Sequence, residues 1–136
     1  MSVISDLETR DLIQLAAETR LKAYAPYSKY LVGAALRTRS GRIFTGVNIE
    51  SAAYPTTICA ERVAIFKAVS EGEREFEALA VVTSNGGFPC GGCRQVMAEF
   101  GLEMIVLVAD ANGRLVERST VRDLLPGAFT PEHLQP

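Results

Sequence analysis

Two short segments hold the residue types best suited to chemistry: Cys59-Ala60-Glu61 and Pro89-Cys90-Gly91-Gly92-Cys93. Between them they contain all 3 cysteines of the chain, while its 1 histidine, His133, stands far off in the C-terminal tail. Three cysteine ligands without a fourth protein donor is the count of a catalytic zinc site, which leaves a coordination position open; structural zinc sites usually fill all four. Cys90 and Cys93 are three apart, so at a helix start their sulfurs converge on one ion. Cys59 and Glu61 are two apart and would face opposite sides of a regular helix, which places the metal over that helix's N-terminus. The same end of a helix stabilises anions and favours thiolate over thiol. An odd number of cysteines without an export signal argues for a metal or reactive thiols and against a disulfide framework. The competing reading, a CxxC redox pair plus one buried structural cysteine, explains neither the Cys-x-Glu pairing nor the proline before Cys90.

The elements that must position these residues follow from periodicity and punctuation. Residues 6–24 carry a partly helical spacing of Leu7, Ile13, Leu15, Ala16, Ala17 and Leu21 that stops before Pro26. Residues 30–37 and 43–47 alternate and are rich in β-formers, with Thr38-Arg39-Ser40-Gly41 as the hairpin loop between them. Residues 58–69 are a mostly apolar helix expected to lie buried between other layers. Residues 78–83 and 104–108 are unbroken apolar runs of the kind that form interior strands, and 93–100 is a helix ended by Gly101. Asn112-Gly113 turns the chain into an edge strand over 114–118, followed by a short helix at 121–125. The expected fold is α/β, a three-layer α/β/α sandwich around a five-stranded mixed sheet.

A chain of 136 residues, 48% hydrophobic and 22% charged, with no repeat, low-complexity tract or linker, is expected to form one domain over 1–136. Its net charge of -2, with neither sign in a long block, gives no electrostatic grip for nucleic acid or a membrane surface. Met1 to Asp6 lack the pattern of a signal peptide and no apolar run reaches membrane-spanning length, so a cytoplasmic protein is expected.

The Cys-x-Glu and Pro-Cys-x-x-Cys pair is similar to the zinc-deaminase signature in its all-cysteine form. The surrounding motifs extend the likeness: Pro26-Tyr27-Ser28, Val32-Gly33-Ala34-Ala35-Leu36, Gly46-Val47-Asn48-Ile49-Glu50, Cys59-Ala60-Glu61-Arg62, Pro89-Cys90-Gly91-Gly92-Cys93-Arg94-Gln95 and Leu124-Leu125-Pro126-Gly127-Ala128-Phe129-Thr130-Pro131. Together they resemble the small homotetrameric cytidine deaminases over nearly the whole chain. The resemblance implies one Zn2+ per subunit on Cys59, Cys90 and Cys93, and hydrolytic deamination of cytidine and deoxycytidine to uridine and deoxyuridine in pyrimidine salvage.

It also implies roles residue by residue. Glu61 matches the family's proton-shuttling glutamate, which is not a metal ligand. Arg62 matches the arginine that hydrogen-bonds the thiolates and offsets their charge, with Arg94 and Gln95 as further supports around the metal. Asn48 and Glu50 match the pair that holds ribose hydroxyls, Ala60 falls among the substrate-binding positions, and Tyr30 and Phe129 are the aromatic contacts to the pyrimidine. Phe129 would act in a neighbouring subunit's site. Two positions depart from the pattern: Phe88 stands where many relatives carry Ser or Thr, and Gly92 is smaller than the usual Ala.

Two further functions share these residues. Blasticidin S deaminases use the same chemistry on another nucleoside, although they look different at the Asn-x-Glu position. A zinc-containing module that binds nucleosides without turning them over would have no use for Glu61. Editing of DNA or RNA is disfavoured by the charge balance and by the lack of a basic groove.

Overall fold

A computed structural model describes residues 4–135; Met1, Ser2 and Val3 of the N-terminal segment read above lie outside it. The elements are α1 (Asp6–Arg20), β1 (Gly33–Thr38), β2 (Ile43–Val47), α2 (Ala60–Ser70), β3 (Phe76–Thr83), α3 (Gly91–Phe100), β4 (Ile105–Asp110), β5 (Leu115–Thr120) and α4 (Val121–Leu124). Short 3-10 turns add Tyr54–Thr56 and Pro131–Leu134.

The 5 strands form one sheet in the order β2-β1-β3-β4-β5. The β1–β2, β1–β3 and β4–β5 pairs are antiparallel and β3–β4 is parallel, joined by the α3 crossover. Alternate side chains of the inner strands feed two separate cores. Ala35, Ala80, Val82 and Leu107 pack under Leu12, Ile13 and Ala16 of α1. Leu36, Leu79, Val81 and Val106 pack under Ala64, Ile65 and Met97 of α2 and α3. Both faces of β3 and β4 are covered, which is why these strands read as continuous apolar runs. The result is a three-layer α/β/α arrangement.

Several boundaries differ from the sequence expectation. Helix α1 starts from a capping box in which Ser5 and Glu8 satisfy each other's backbone N–H, and it ends at Arg20 instead of Tyr24. Tyr24 leaves the helix to pair with the segment after β2, donating its N–H to the Asn48 carbonyl and accepting from the Glu50 N–H. Strand β1 starts at Gly33 and not Tyr30, because the backbone just before it is held by a side chain. The Val32 N–H donates to Asn48 Oδ1 at 2.9 Å, and Asn48 Nδ2 donates to the Tyr30 carbonyl at 2.8 Å.

Helix α2 is an outer layer, not a fully buried one. Its Ala60-Ala64-Ala68 stripe has no exposed surface, yet Phe66 on the other side is 47% exposed. The small stripe lets backbone meet backbone: a Cβ at Gly46 of β2 would lie 2.3 Å from the Ala60 carbonyl oxygen and 2.6 Å from the Ala64 nitrogen. Only glycine fits at 46, and this contact fixes how deeply the N-terminus of α2 sits against the sheet.

Candidate metal centre and active-site pocket

The N-termini of α2 and α3 converge outside the carboxyl end of β3, where open α/β sheets usually hold their ligands. Cys59 is the N-cap residue of α2 and Cys90 that of α3, with Cys93 in the first turn of α3. The three sulfurs lie within 4.8 Å of one another, and Cys59 Sγ and Cys90 Sγ are 3.9 Å apart. Tetrahedral zinc with sulfurs at about 2.3 Å separates any two of them by about 3.8 Å, so the donor set fits that ion as it stands. Cys93 is buried, Cys59 half-buried and Cys90 exposed.

Arg62, in the first turn of α2, aims its guanidinium at this cluster. Its Nη2 donates to Cys59 Sγ at 3.3 Å and reaches Cys90 Sγ at 3.7 Å. Its Nε is buried without a hydrogen-bond partner among the described residues. A Cβ at position 92 would come within 3.2 Å of Arg62 Nη2, so Gly92 leaves the guanidinium its room. Hydrogen bonding with Cys93 and the positive charge of Arg62 draw the Cys59 thiol down to about 5. The same hydrogen bond between the two cysteines, with burial, pushes the Cys93 thiol up.

Glu61 is 4% exposed and stands on the wall of the adjoining cavity. Burial raises its carboxyl to about 7, and the negative charge of Cys59 adds to the effect. The cavity, of about 200 Å³, is walled by Tyr30, Asn48, Cys59, Ala60, Glu61 and Cys90 among others, with Phe88 at its edge. A larger groove of about 680 Å³ lies between Phe76, Phe100, Leu102 and Arg118, but no cysteine lines it.

The remaining sequence candidates fall outside this cavity. Glu50 is pinned beside it: Oε1 accepts from the Tyr27 and Ser28 N–H groups at 3.0 and 3.1 Å, and Oε2 accepts from the Ser28 hydroxyl. Those bonds, the Ser28 hydroxyl foremost, hold its carboxyl below the usual carboxylate range. Phe129 is 55% exposed and stacks on His133 with ring centroids 5.2 Å apart.

Arg94 and Gln95, expected as further supports around the metal, direct their hydrogen bonds to backbone carbonyls and not to sulfur. Arg94 donates to the carbonyls of Pro89 and Leu124, both at 2.8 Å, and Gln95 Nε2 donates to the Phe129 carbonyl at 2.6 Å. Arg94 ties the turn before Cys90 to α4, and Gln95 fixes the start of the tail. Both sit on the side of α3 that meets the C-terminal segment, which residue spacing alone did not reveal. Thr83 and Gly87 also line the cavity and were missed, because a threonine ending an apolar strand and a glycine in a loop have no chemical signature of their own.

Residues 7–109 match the family described as "Cytidine and deoxycytidylate deaminase zinc-binding region". The chain belongs to that deaminase family. It is 50% identical over 131 residues to a cytidine deaminase of Sporosarcina psychrophila, covering 94% of this chain and 96% of the relative. A blasticidin-S deaminase of Bacillus cereus is 33% identical over 130 residues, covering 88% and 91%. Among solved structures, a cytidine deaminase from Burkholderia pseudomallei superposes with a TM-score of 0.83 at 47% identity, covering 88% of this chain and 97% of that one. Family membership and the convergent sulfurs agree on the metal: this deaminase-family chain takes one Zn2+ on its three cysteines. Among the described residues no helix is long and apolar enough to cross a membrane.

Proposed function

We propose that this protein hydrolyses the exocyclic amino group of cytidine and deoxycytidine, yielding uridine or deoxyuridine and ammonia, as a cytoplasmic step of pyrimidine salvage. The observation that carries this reading is the placement of the Glu61 carboxylate, buried and raised to about 7, on the wall of a cavity that Cys59 and Cys90 also line.

Cys59, Cys90 and Cys93 hold the zinc, whose Lewis acidity makes water a nucleophile at neutral pH. Glu61 does the proton work. Near neutral pH it is poised between its two forms, as a group must be that both accepts and returns a proton. It accepts a proton from the attacking water, delivers it to ring N3 as C4 becomes tetrahedral, and then passes the remaining hydroxyl proton to the amino nitrogen so that ammonia departs. Arg62 holds the sulfurs against one another and balances their charge.

The ribose falls to Asn48 and Glu50. Asn48 spends one N–H and one lone pair on the backbone of Tyr30 and Val32, leaving one of each for a sugar hydroxyl. Glu50 accepts three hydrogen bonds from Tyr27 and Ser28 and retains capacity for another. Both are held before substrate arrives. Tyr30 and Ala60 offer surface to the pyrimidine, and Phe129 reaches a neighbouring subunit's cavity in a homotetramer of one-domain chains. The walls of the cavity carry no Lys or Arg, which suits a neutral nucleoside.

The test is a comparison of purified, zinc-loaded protein on cytidine, deoxycytidine and blasticidin S, following ammonia release. Turnover of the two pyrimidine nucleosides supports the proposal. Turnover of blasticidin S alone replaces the substrate, and tight nucleoside binding without ammonia replaces the enzyme with a binding module.

A further inference from the structure

Tyr30 is anchored at both ends. Its carbonyl accepts from Asn48, and its hydroxyl donates to Asn85 Oδ1 at 2.7 Å, a residue 55 positions away in the loop that follows β3. The same Asn85 oxygen accepts from the Thr83 hydroxyl at 3.4 Å, and that hydroxyl accepts from the Gly87 N–H at 2.7 Å. A chain of hydrogen bonds therefore links the tip of Tyr30 to the end of β3 and back into the loop. Thr83 is buried, so its part of the chain is shielded from water. Position 87 closes the arrangement sterically, since a Cβ there would lie 2.5 Å from the Tyr30 hydroxyl oxygen but 3.7 Å from the ring carbon that bears it. Tyr30, Gly87, Phe88 and Cys90 all line the same cavity.

We propose that the Tyr30 hydroxyl, Asn85 and Gly87 form a latch that holds residues 84–88 along the wall of the cavity, before the turn that Arg94 fixes at Pro89, and so sets the position of Phe88 against the nucleoside. Asn85 and the hydroxyl are positioning groups: they act on substrate through the loop. The glycine at 87 exists to admit that hydroxyl, which makes the two positions interdependent in size. Loosening the latch moves a binding wall and leaves Glu61 in place, so it weakens substrate binding and leaves the chemical step nearly intact. The kinetic half of this inference rests on the deamination reading; the interdependence of the residues does not.

The experiment is a pair of double-mutant cycles read by steady-state kinetics on cytidine and by thermal unfolding. Tyr30→Phe and Asn85→Ala each raise KM about two- to ten-fold, the worth of one ordinary hydrogen bond, with kcat within about two-fold of wild type. The double variant is no worse than either single one. Gly87→Ala raises KM with the hydroxyl present and adds nothing further in the Tyr30→Phe background. Effects that multiply in either cycle, or a Gly87→Ala cost that is equal in both backgrounds, overturn the latch. If Gly87→Ala does not fold alone, the Tyr30→Phe/Asn85→Ala cycle, which adds no bulk, decides. Should the wild-type protein release no ammonia, the deamination reading falls, and the latch is judged on unfolding midpoints: shifts of roughly 2–6 °C that fail to add support it, and additive shifts refute it.

Discussion

Arg62 Nη2 stands 3.3 Å from Cys59 Sγ, so a residue in the first turn of α2 sets its positive charge against the residue that caps the same helix. Three thiolates on one dication leave a net negative centre, which opposes the acidity that a catalytic zinc must confer on water. Arg62→Gln keeps a donor but removes the charge. It is expected to weaken zinc binding about 10- to 100-fold, measured by competition with a chromogenic chelator, and to lower turnover in the zinc-saturated protein. Unchanged zinc affinity and unchanged turnover would leave Arg62 with no role at the cluster.

Glu50 ties the segment after β2 to Tyr27 and Ser28, ahead of β1. Its carboxyl is held low chiefly by the Ser28 hydroxyl. A carboxylate with a depressed folded pKa contributes stability that is present above its unfolded value, near 4.5, and is lost as pH falls through the folded value. Glu50→Gln is therefore expected to melt earlier than wild type at pH 6 to 7, with the gap closing as the medium becomes acid. Thermal melts from pH 7 down to about pH 3 test it; a gap that stays constant as the pH falls below about 4.5 contradicts it. The same variant loses affinity for ribonucleosides.

Phe129 contributes nothing to the cavity wall of its own chain, yet its backbone is fixed by Gln95 and its ring by His133. An exposed aromatic held in place on both sides is suited to a neighbour's site. Gel filtration is expected to give a tetramer, and Phe129→Ala to lose most activity. Mixing Phe129→Ala subunits with Glu61→Gln subunits should restore part of it, because a hybrid contains sites with both residues intact. A fully active monomer, or no recovery on subunit exchange, would confine Phe129 to its own chain.

What the sequence revealed and what it hid divide along a physical line. The hairpin around Gly41 and the apolar runs of β3 and β4 were legible because turn chemistry and two-sided burial leave local marks. The three cysteines were legible because their spacing is the chemistry. The start of β1 was not, since the Asn48 side chain takes over the backbone bonds of Tyr30 and Val32 from a residue 16 to 18 positions on. Nor was the task of Arg94: an arginine beside a metal ligand reads as a charge for the metal until the carbonyls of Pro89 and Leu124 are brought within 2.8 Å of it. The outward face of α2 was misjudged for a related reason. An apolar helix says that something covers it, while the side that meets the sheet was decided by the match between Gly46 and the alanine stripe.

In the proposed function Glu61 moves protons in a zinc-dependent deamination and does not hold the metal. The direct measurement is ammonia release from cytidine by wild-type and Glu61→Gln protein of equal zinc content, each preparation assayed for metal in parallel. Wild type is expected to turn cytidine over, and Glu61→Gln to retain its zinc while losing at least about 10²- to 10⁴-fold in kcat, the usual contribution of general acid–base catalysis. A Glu61→Gln protein that deaminates at the wild-type rate, or one that has lost its zinc, would contradict the account.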